Sequence, residues 1–497
     1  MKEAELDPEF KEFWLPGLLK EYAKHEARES YEFMLRSEVP HRAKIYDHRM
    51  VFVRKYSEPD REHPLGEVIT PGKVRMTIAA FAKTMKEGID YSQRYAPTVR
   101  DTSIKVLLAI AAHEDLELCK IDIETFFLWG DLKDAKSKPL FMEIPPYFPI
   151  PPARENQDLV LCLKKSIYGC PQAAYCAHVK LLNCLLAGGK VRRLDFVDSC
   201  VFILTDMKDK AIFVCHVDDL LIAATLKALE MVEKLIAKEF KYTKVMNPAS
   251  YLSLQIERDR PRRWLKIHQG KYILGKLAEF QMDKTNPAKI PLDPSVRNVI
   301  IAVEGEKIPP DKEKYQLVIA VRTPTIKKEY QRIVGSLMFL KTREDLGFAV
   351  NFLARHLQDP SSQHLTWARH VLRYLAGTIY NGTVFQSKSP LVLHGWFDAD
   401  LAGDVSSGRS TIGVTIRLGS CGTILFYSRL GKKPADSTAM AETYAGVSAA
   451  KDVVWLKTLL NELGYPQDEA TVLRGDNQVM IDQFYVLVPS YAAQANP

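Results

Sequence analysis

Two stretches decide the fold: FVCHVDDLLIAA at residues 213–224 and KIDIETFF at residues 120–127. In each, an apolar run typical of a buried strand ends at carboxylates, Asp218 and Asp219 in the first and Asp122 in the second. Neighbouring strands of one sheet would bring these carboxylates together. Nucleotidyl transfer commonly uses two divalent cations, and magnesium prefers a few carboxylate oxygens with substrate phosphates and water. The pattern therefore predicts a magnesium site at this place.

The two adjacent aspartates should not contribute equally. Successive side chains of a strand point to opposite faces of the sheet. We therefore expect Asp122 and Asp218 to be the main ligands, with His216 on the same face as Asp218. On local sequence alone, an aspartate pair after an apolar run is more often a solvated turn, and that alternative stays open.

The surrounding segments predict an α+β domain. Apolar residues at helical spacing predict helices that begin after a cap at Asp101 or Thr102 and after a cap at Thr225, and a third over residues 173–186. Strands are predicted at residues 49–53, 118–123, 201–205 and 212–217, the last two forming a hairpin. This order of elements indicates a sheet with helices on one face.

Length and composition narrow the class of protein. The chain has 497 residues, 46% hydrophobic and 26% charged, which suits roughly three globular domains. A net charge of +7 permits nucleic-acid binding without requiring it. The eight cysteines include no C-x-x-C pair, so we expect reduced buried thiols rather than a zinc site. With no apolar signal core at the start and no long apolar run, an intracellular protein is expected.

Several longer stretches, in order, resemble the reverse transcriptase and ribonuclease H region of copia-type LTR retrotransposon polyproteins. They are residues 95–132, 159–175, 213–224, 330–360, 370–378, 394–420 and 451–464. The resemblance implies an α+β right-hand polymerase (fingers, palm and thumb), then a connection and a truncated α/β ribonuclease H-like domain. The expected boundaries are a leader at 1–40, the polymerase at 41–290, a linker and connection at 291–385, and the last domain at 386–497.

By this resemblance the chain is an RNA- and DNA-templated DNA polymerase with two Mg²⁺ ions at its site. Its partners would be an RNA template, a DNA primer and deoxynucleoside triphosphates, in the cytoplasm (in an element particle) or the nucleus. The resemblance places Arg75 on the triphosphate, Phe127 at the gate that excludes a ribose 2′-hydroxyl, and Gln172 against the nucleotide and template. Local sequence alone would make them a solvated arginine, a core phenylalanine, and a cap or surface glutamine.

Some residues depart from the family pattern. His216 stands where the family has tyrosine and Ala79 where it usually has lysine. Trp129, Ala174 and Ser253 replace a polar residue, a proline and a glycine. These changes suggest a copy that has drifted, and two alternatives stay open. One is a catalytically silent scaffold that binds nucleic acid, and the other is a relic of the element without a function.

The last segment carries a second set of carboxylates. Asp398, Glu442 and Asp476 match the first three acidic positions of the family's ribonuclease H, where paired metals hydrolyse RNA. The family usually has a second glutamate near Glu442, and Met440 occupies that position. Nothing after residue 482 matches the family's fourth aspartate, so we expect the ribonuclease H activity to be lost.

Overall fold

The computed structural model describes residues 7–56, 68–79, 85–88, 90–135, 138–205, 209–302, 316–387, 390–419 and 422–482. Within these ranges the chain is a mixed α/β structure built on six sheets. No helix in the same ranges is both long enough and apolar enough to cross a membrane.

The strands and helices follow one another along the whole described chain. The strands are Tyr31–Leu35 (β1), Ile45–Tyr46 (β2), His48–Tyr56 (β3), Val68–Ile78 (β4), Glu117–Ile123 (β5), Leu140–Glu143 (β6), Leu159–Leu163 (β7), Val191–Leu194 (β8), Asp198–Leu204 (β9), Ala211–His216 (β10), Asp219–Ala224 (β11), Tyr242–Met246 (β12), Ser250–Tyr251 (β13), Leu254–Asp259 (β14), Trp264–His268 (β15), Val299–Ala302 (β16), Gln316–Ile319 (β17), Gly382–Gln386 (β18), Leu393–Asp404 (β19), Arg409–Leu418 (β20), Thr423–Pro434 (β21) and Val472–Arg474 (β22). The α-helices are Leu15–Ala27 (α1), Asp101–Glu114 (α2), Ala173–Leu186 (α3), Leu226–Ala237 (α4), Gly270–Glu279 (α5), Pro324–Met338 (α6), Gly347–Ala354 (α7), Ser362–Gly377 (α8) and Thr438–Glu462 (α9).

The N-terminal segment is part of the folded unit. Phe10, Trp14 and Tyr22 are buried in one apolar cluster with Val74 and Met76 of β4. Strand β1 pairs with β7 in a sheet of order β1-β7-β6-β2. The described part of the expected leader is therefore structured, because its aromatic side chains fill a core supplied by residues far along the chain.

A six-stranded sheet of order β12-β5-β11-β10-β9-β8 carries the two stretches that opened the sequence analysis. The predicted strands at 118–123, 201–205 and 212–217 correspond to β5, β9 and β10, and β9 and β10 form the predicted antiparallel hairpin. The helix predicted at 173–186 matches α3. This sheet positions the first candidate site.

The expectation of helices on one face of this sheet is wrong. Helix α2 packs on one face, against Ile212, Val214 and Leu221. Helices α3 and α4 pack on the other, against the alternate residues Phe213 and Leu220. The strands are apolar on both faces, and a run without polar alternation is typical of a strand buried on both sides.

The two predicted helix caps differ in outcome. Thr225 caps α4, since its hydroxyl accepts a hydrogen bond from the Ala228 backbone N–H at 3.4 Å. The predicted cap of α2 is wrong, because the N-cap is Arg100 and makes no side-chain cap. The Asp101 carboxylate instead accepts from Lys341 Nζ at 2.7 Å, a partner 240 residues away that local sequence could not indicate.

The described helices between residues 270 and 377 form one packed unit. Helices α5, α6, α7 and α8 share one apolar cluster. Beside it, β13, β14, β15 and β18 form a sheet in that order. The expected linker and connection at 291–385 contains the parallel pair β16 and β17, and its residues 303–315 lie outside the described ranges.

The C-terminal sheet has the order β21-β20-β19-β22, and α9 packs against β19 and β20. Its apolar cluster is continuous with that of α2. Polar contacts reinforce the junction. Trp455 Nε1 donates to the Val197 carbonyl at 3.3 Å. Lys210 Nζ donates to the Glu114 carboxylate at 2.8 Å, and the Tyr465 hydroxyl donates to the same carboxylate. The last unit is thus packed against the six-stranded sheet through α2 rather than tethered loosely.

Candidate active site

A tight hairpin between β10 and β11 presents the aspartate pair. His216 pairs with Asp219, which leaves Val217 and Asp218 as a two-residue turn. Val217 has φ 61°, a left-handed conformation that costs a β-branched residue roughly 1–3 kcal/mol. The flanking strands hold this strained turn and set the position of Asp218.

The argument that His216 and Asp218 share a strand face is therefore wrong, because Asp218 lies in the turn and strand alternation does not apply to it. The two side chains are nonetheless close enough to interact, since His216 acts to lower the pKa of the Asp218 carboxyl. The alternative of a solvated turn is correct in one respect, because Asp218 lies in a turn. It is wrong in the other, because this turn joins two paired strands of the sheet.

Strand β5 brings the third aspartate to the hairpin. Asp219 lies directly opposite Asp122 in the antiparallel register, and the Ile123 N–H donates to the Asp218 carbonyl at 3.0 Å. Burial raises the pKa of Asp122, and the charges of Asp219 and Asp218 raise it further. Burial and the charge of Asp219 raise the pKa of Asp218 in the same way. The predicted meeting of the carboxylates is confirmed.

Cations already balance part of this negative charge. Lys120 Nζ lies 3.1 Å from Asp219 Oδ1, and both side chains are half-buried. From β4, Lys73 lowers the pKa of Asp218. Asp219 is thus paired with Lys120, and the charge of Lys73 acts on Asp218. Sequence analysis missed Lys73, although it lies two residues before Arg75 and so on the same strand face.

The predicted nucleotide residues Arg75 and Phe127 meet at a residue that was not predicted, Tyr168. The Arg75 guanidinium lies over the Tyr168 ring, 5.3 Å from its centre. The Phe127 and Tyr168 rings stand edge to face at 5.1 Å. Tyr168 is four residues before Gln172 in a stretch quoted for the resemblance, but no local pattern marked it.

Gln172 is neither the helix cap nor the surface residue that its local sequence indicates. It holds the N-cap position of α3 without making a side-chain cap, and it is fully buried rather than on the surface. A contact between Gln172 and a nucleotide stays a prediction.

Two of the family departures have partners in this structure. Trp129 Nε1 donates to the Glu124 carbonyl at 2.9 Å, and the Arg28 guanidinium stacks 3.5 Å from the centre of its ring. Ser253 accepts a hydrogen bond from Gln269 at 3.4 Å. These substitutions are accommodated by packing and hydrogen bonding, so they are weak evidence of decay.

A second carboxylate cluster lies in the C-terminal sheet. Trp396 of β19 pairs with Arg474 of β22 in parallel register. Asp398 and Asp476 each lie two residues further along the chain, so they are neighbours at the same end of the sheet. Glu442 reaches them from α9, and one oxygen of each carboxylate lies within 4.8 Å of the others. Among the described residues, no other group of three or more histidines, cysteines, aspartates or glutamates has ligand atoms this close together.

Glu442 rather than position 440 belongs to this cluster. Its side chain is 2% exposed, and its Oε1 accepts from the Ala399 N–H at 3.2 Å. Burial first, and then the charges of Asp398 and Asp476, raise the pKa of Glu442 to about 7. Met440 is 37% exposed.

An antiparallel sheet whose hairpin turn sets two aspartates against a third is the arrangement expected of a nucleotidyl-transfer enzyme. Residues 38–294, just over half of the chain, match the family described as reverse transcriptase (RNA-dependent DNA polymerase). The chain belongs to that family.

Similar proteins narrow the family further. The chain is 32% identical over 416 residues to the retrovirus-related Pol polyprotein from transposon TNT 1-94 of Nicotiana tabacum, covering 82% of this chain and 29% of the relative. It is 29% identical over 439 residues to that from transposon RE1 of Arabidopsis thaliana, covering 88% and 27%. The resemblance to copia-type retrotransposon polyproteins is confirmed, and the chain spans less than a third of these relatives.

Among solved structures, a foamy viral protease–reverse transcriptase in complex with double-stranded DNA aligns with a TM-score of 0.48 and 11% identity. The alignment covers 94% of this chain and 64% of the viral one.

Proposed function

We propose that this chain is an RNA- and DNA-templated DNA polymerase, with its chemistry at Asp122, Asp218 and Asp219. The observation that carries the proposal is the register that sets Asp219 opposite Asp122 with Asp218 in the adjoining turn. This arrangement lies within the segment that matches the reverse transcriptase family. In the reaction, the primer 3′-hydroxyl attacks the α-phosphorus of the nucleotide and pyrophosphate leaves.

The residues present fit divalent cations. Burial and, after it, like charge raise the pKa values of Asp122 and Asp218, and a bound cation would relieve the repulsion between these carboxylates. Their oxygens are the donors that Mg²⁺ prefers, with the remaining positions left to phosphates and water. Two Mg²⁺ ions, when bound, would activate the attacking oxygen and stabilise the leaving group.

The nucleotide would lie between β4 and the short 3₁₀ helix Phe126–Trp129. Arg75 is suited to hold the triphosphate, because a guanidinium offers paired donors to phosphate oxygens. Lys73 adds a second cation on the same strand face. Phe127 would check the sugar, and Gln172 would support the nucleotide and template.

We assign the fingers, palm and thumb to residues 41–290, the connection to 291–385 and a ribonuclease H-like domain to 386–497, of which 483–497 lie outside the described residues. The second carboxylate cluster supports the last assignment. We propose that it binds a cation but does not hydrolyse RNA.

The partners would be an RNA template, a DNA primer and deoxynucleoside triphosphates, which agrees with the nucleic-acid substrates that the family implies. We propose that the chain works in the cytoplasm, within an element particle, or in the nucleus.

Primer extension with purified protein tests the proposal. We expect Mg²⁺-dependent extension of a DNA primer on RNA and on DNA templates, with binding that weakens steeply as salt rises. Salt-sensitive binding without extension would identify a silent scaffold. If the folded protein neither binds nucleic acid nor extends the primer, the chain is the relic of an element without a function.

A further inference from the structure

The segment from Ser166 to Gly169 contacts two elements. One is the 3₁₀ helix Phe126–Trp129, which carries the predicted gate residue Phe127, and the other is strand β4, which carries Arg75. On one side, the Ser166 hydroxyl donates to the Phe127 carbonyl at 2.5 Å, and its N–H donates to the Gly130 carbonyl at 2.8 Å. On the other side, the Ile78 N–H of β4 donates to the Tyr168 carbonyl at 2.9 Å. One short segment therefore holds both elements that would enclose the nucleotide.

A glycine makes this close approach possible. Gly169 has φ 90°, and a Cβ at this position would lie 2.3 Å from the Ile78 carbonyl oxygen. A larger residue would have to move the segment away from β4 and would also be strained in this backbone conformation. The position of Tyr168 beside β4 is thus set by the backbone.

The Tyr168 side chain fills the gap between the two predicted nucleotide residues. Its ring takes the Arg75 guanidinium on its face at 5.3 Å and stands edge to face with Phe127 at 5.1 Å. Both are favourable arrangements for an aromatic ring. The phenol is half-buried, and burial raises its pKa, while the charge of Arg75 acts to lower it and that of Asp218 to raise it.

We propose that Tyr168 is a positioning residue for nucleotide selection, one that sets the spacing between the Arg75 guanidinium and the Phe127 ring. This inference rests on the proposed polymerase function. A triphosphate held by Arg75 then brings its sugar against Phe127 at a fixed distance, so that a 2′-hydroxyl meets the ring. Without the Tyr168 ring, the arginine and the gate can shift independently.

The test compares Tyr168→Leu and Tyr168→Phe with the wild type. We expect Tyr168→Leu to raise KM for deoxynucleotides and to lower discrimination against ribonucleotides by roughly tenfold each, with kcat changed less, because misplaced binding groups cost orders of magnitude. Tyr168→Phe keeps both ring contacts and should restore the wild-type ratio. Tyr95→Leu, at a tyrosine that is 72% exposed, is the matched control.

A second readout needs no chemistry. On a primer ended by a dideoxynucleotide, deoxynucleotides should stabilise the complex of protein, primer and template at lower concentration than ribonucleotides. Tyr168→Leu should narrow that gap. If Tyr168→Leu does not fold, Tyr168→His, which keeps a smaller ring, replaces it in both assays.

The outcomes separate the two proposals. Unchanged KM and discrimination in a folded, active Tyr168→Leu protein would overturn the role of Tyr168 while the polymerase function stands. Equal losses in Tyr168→Phe and Tyr168→Leu would also overturn it, because the hydroxyl and not the ring would then be responsible. A wild-type protein that neither extends primers nor forms the nucleotide-dependent complex would overturn both.

Discussion

The two carboxylate clusters of this chain are built differently. At Asp122, Asp218 and Asp219, two neighbouring antiparallel strands and a strained turn bring the acids together, and cations from the protein lie beside them. Lys120 contacts Asp219 at 3.1 Å, and Lys73 lowers the pKa of Asp218.

In the second cluster, burial and like charges raise the pKa of the central acid, as they do for Asp122 in the first. Burial and the charges of Asp398 and Asp476 raise the pKa of Glu442, offset in part by the Ala399 N–H. The acids also converge more tightly, with oxygens within 4.8 Å. Lysines of the protein offset part of the charge of the first cluster, whereas burial and like charges raise the pKa of Glu442 in the second to about 7.

The strongest test of this contrast compares the two activities. We expect primer extension but no cleavage of the RNA strand of a hybrid, because hydrolysis needs two cations a few Å apart and three carboxylates suit one. The rates should differ by at least about a hundredfold. Gel analysis of a labelled hybrid, with magnesium and again with manganese, measures the cleavage. Cleavage that disappears in Asp398→Asn would show that the second cluster is active.

Removing one charge should silence the first cluster. Asp218→Asn keeps the shape of the side chain but loses a cation ligand, so extension should fall by roughly a hundredfold or more, as for other preorganised charges. The exposed Asp468→Asn is the matched control and should extend normally. Equal activity of Asp218→Asn and wild type would place the chemistry elsewhere.

The second cluster should respond to pH. The pKa of Glu442 is raised from 4.5 to about 7 in the folded state, so its ionisation destabilises the fold. The cost is absent below pH 4.5 and grows as pH rises through 7. Glu442→Gln should therefore stabilise the protein at pH 8 by up to roughly 3 kcal/mol, and by nothing at pH 4.5.

Denaturant unfolding at both pH values measures this difference, with the exposed Glu469→Gln as control. Added Mg²⁺ should stabilise the wild type more than Glu442→Gln at pH 8. A variant that is less stable than wild type at pH 8 would show that Glu442 gains more from the Ala399 N–H than it loses by ionisation.

The smallest effect concerns His216. If its presence is damage, His216→Tyr should raise the extension rate a few-fold, because the family residue would return to a position beside Asp218. Single-turnover extension with both proteins measures the change, and His216→Phe separates the ring from the hydroxyl. Lower activity in His216→Tyr would mean that the surrounding residues have adapted to histidine.

Much of the site could be predicted because its signals are local. Each apolar run and its terminal carboxylate lie within about ten residues, so the sequence indicates a strand end with an acid on it. The predictions of helices on one face and of a cap at Asp101 failed for one reason. Each depends on what packs against the segment, and those partners lie far away in the chain.

By itself, the sequence determined the family, the strands that lead to the carboxylates Asp122, Asp218 and Asp219, and the three acids of the second cluster. Only the tertiary structure decided that Asp219 is engaged by Lys120, that Glu442 and not Met440 reaches Asp398, and that Tyr168 lies between Arg75 and Phe127. The physical reason is range. Backbone conformation follows from neighbouring residues, whereas charge balance and side-chain spacing are set by contacts between segments that sequence separates and folding brings together.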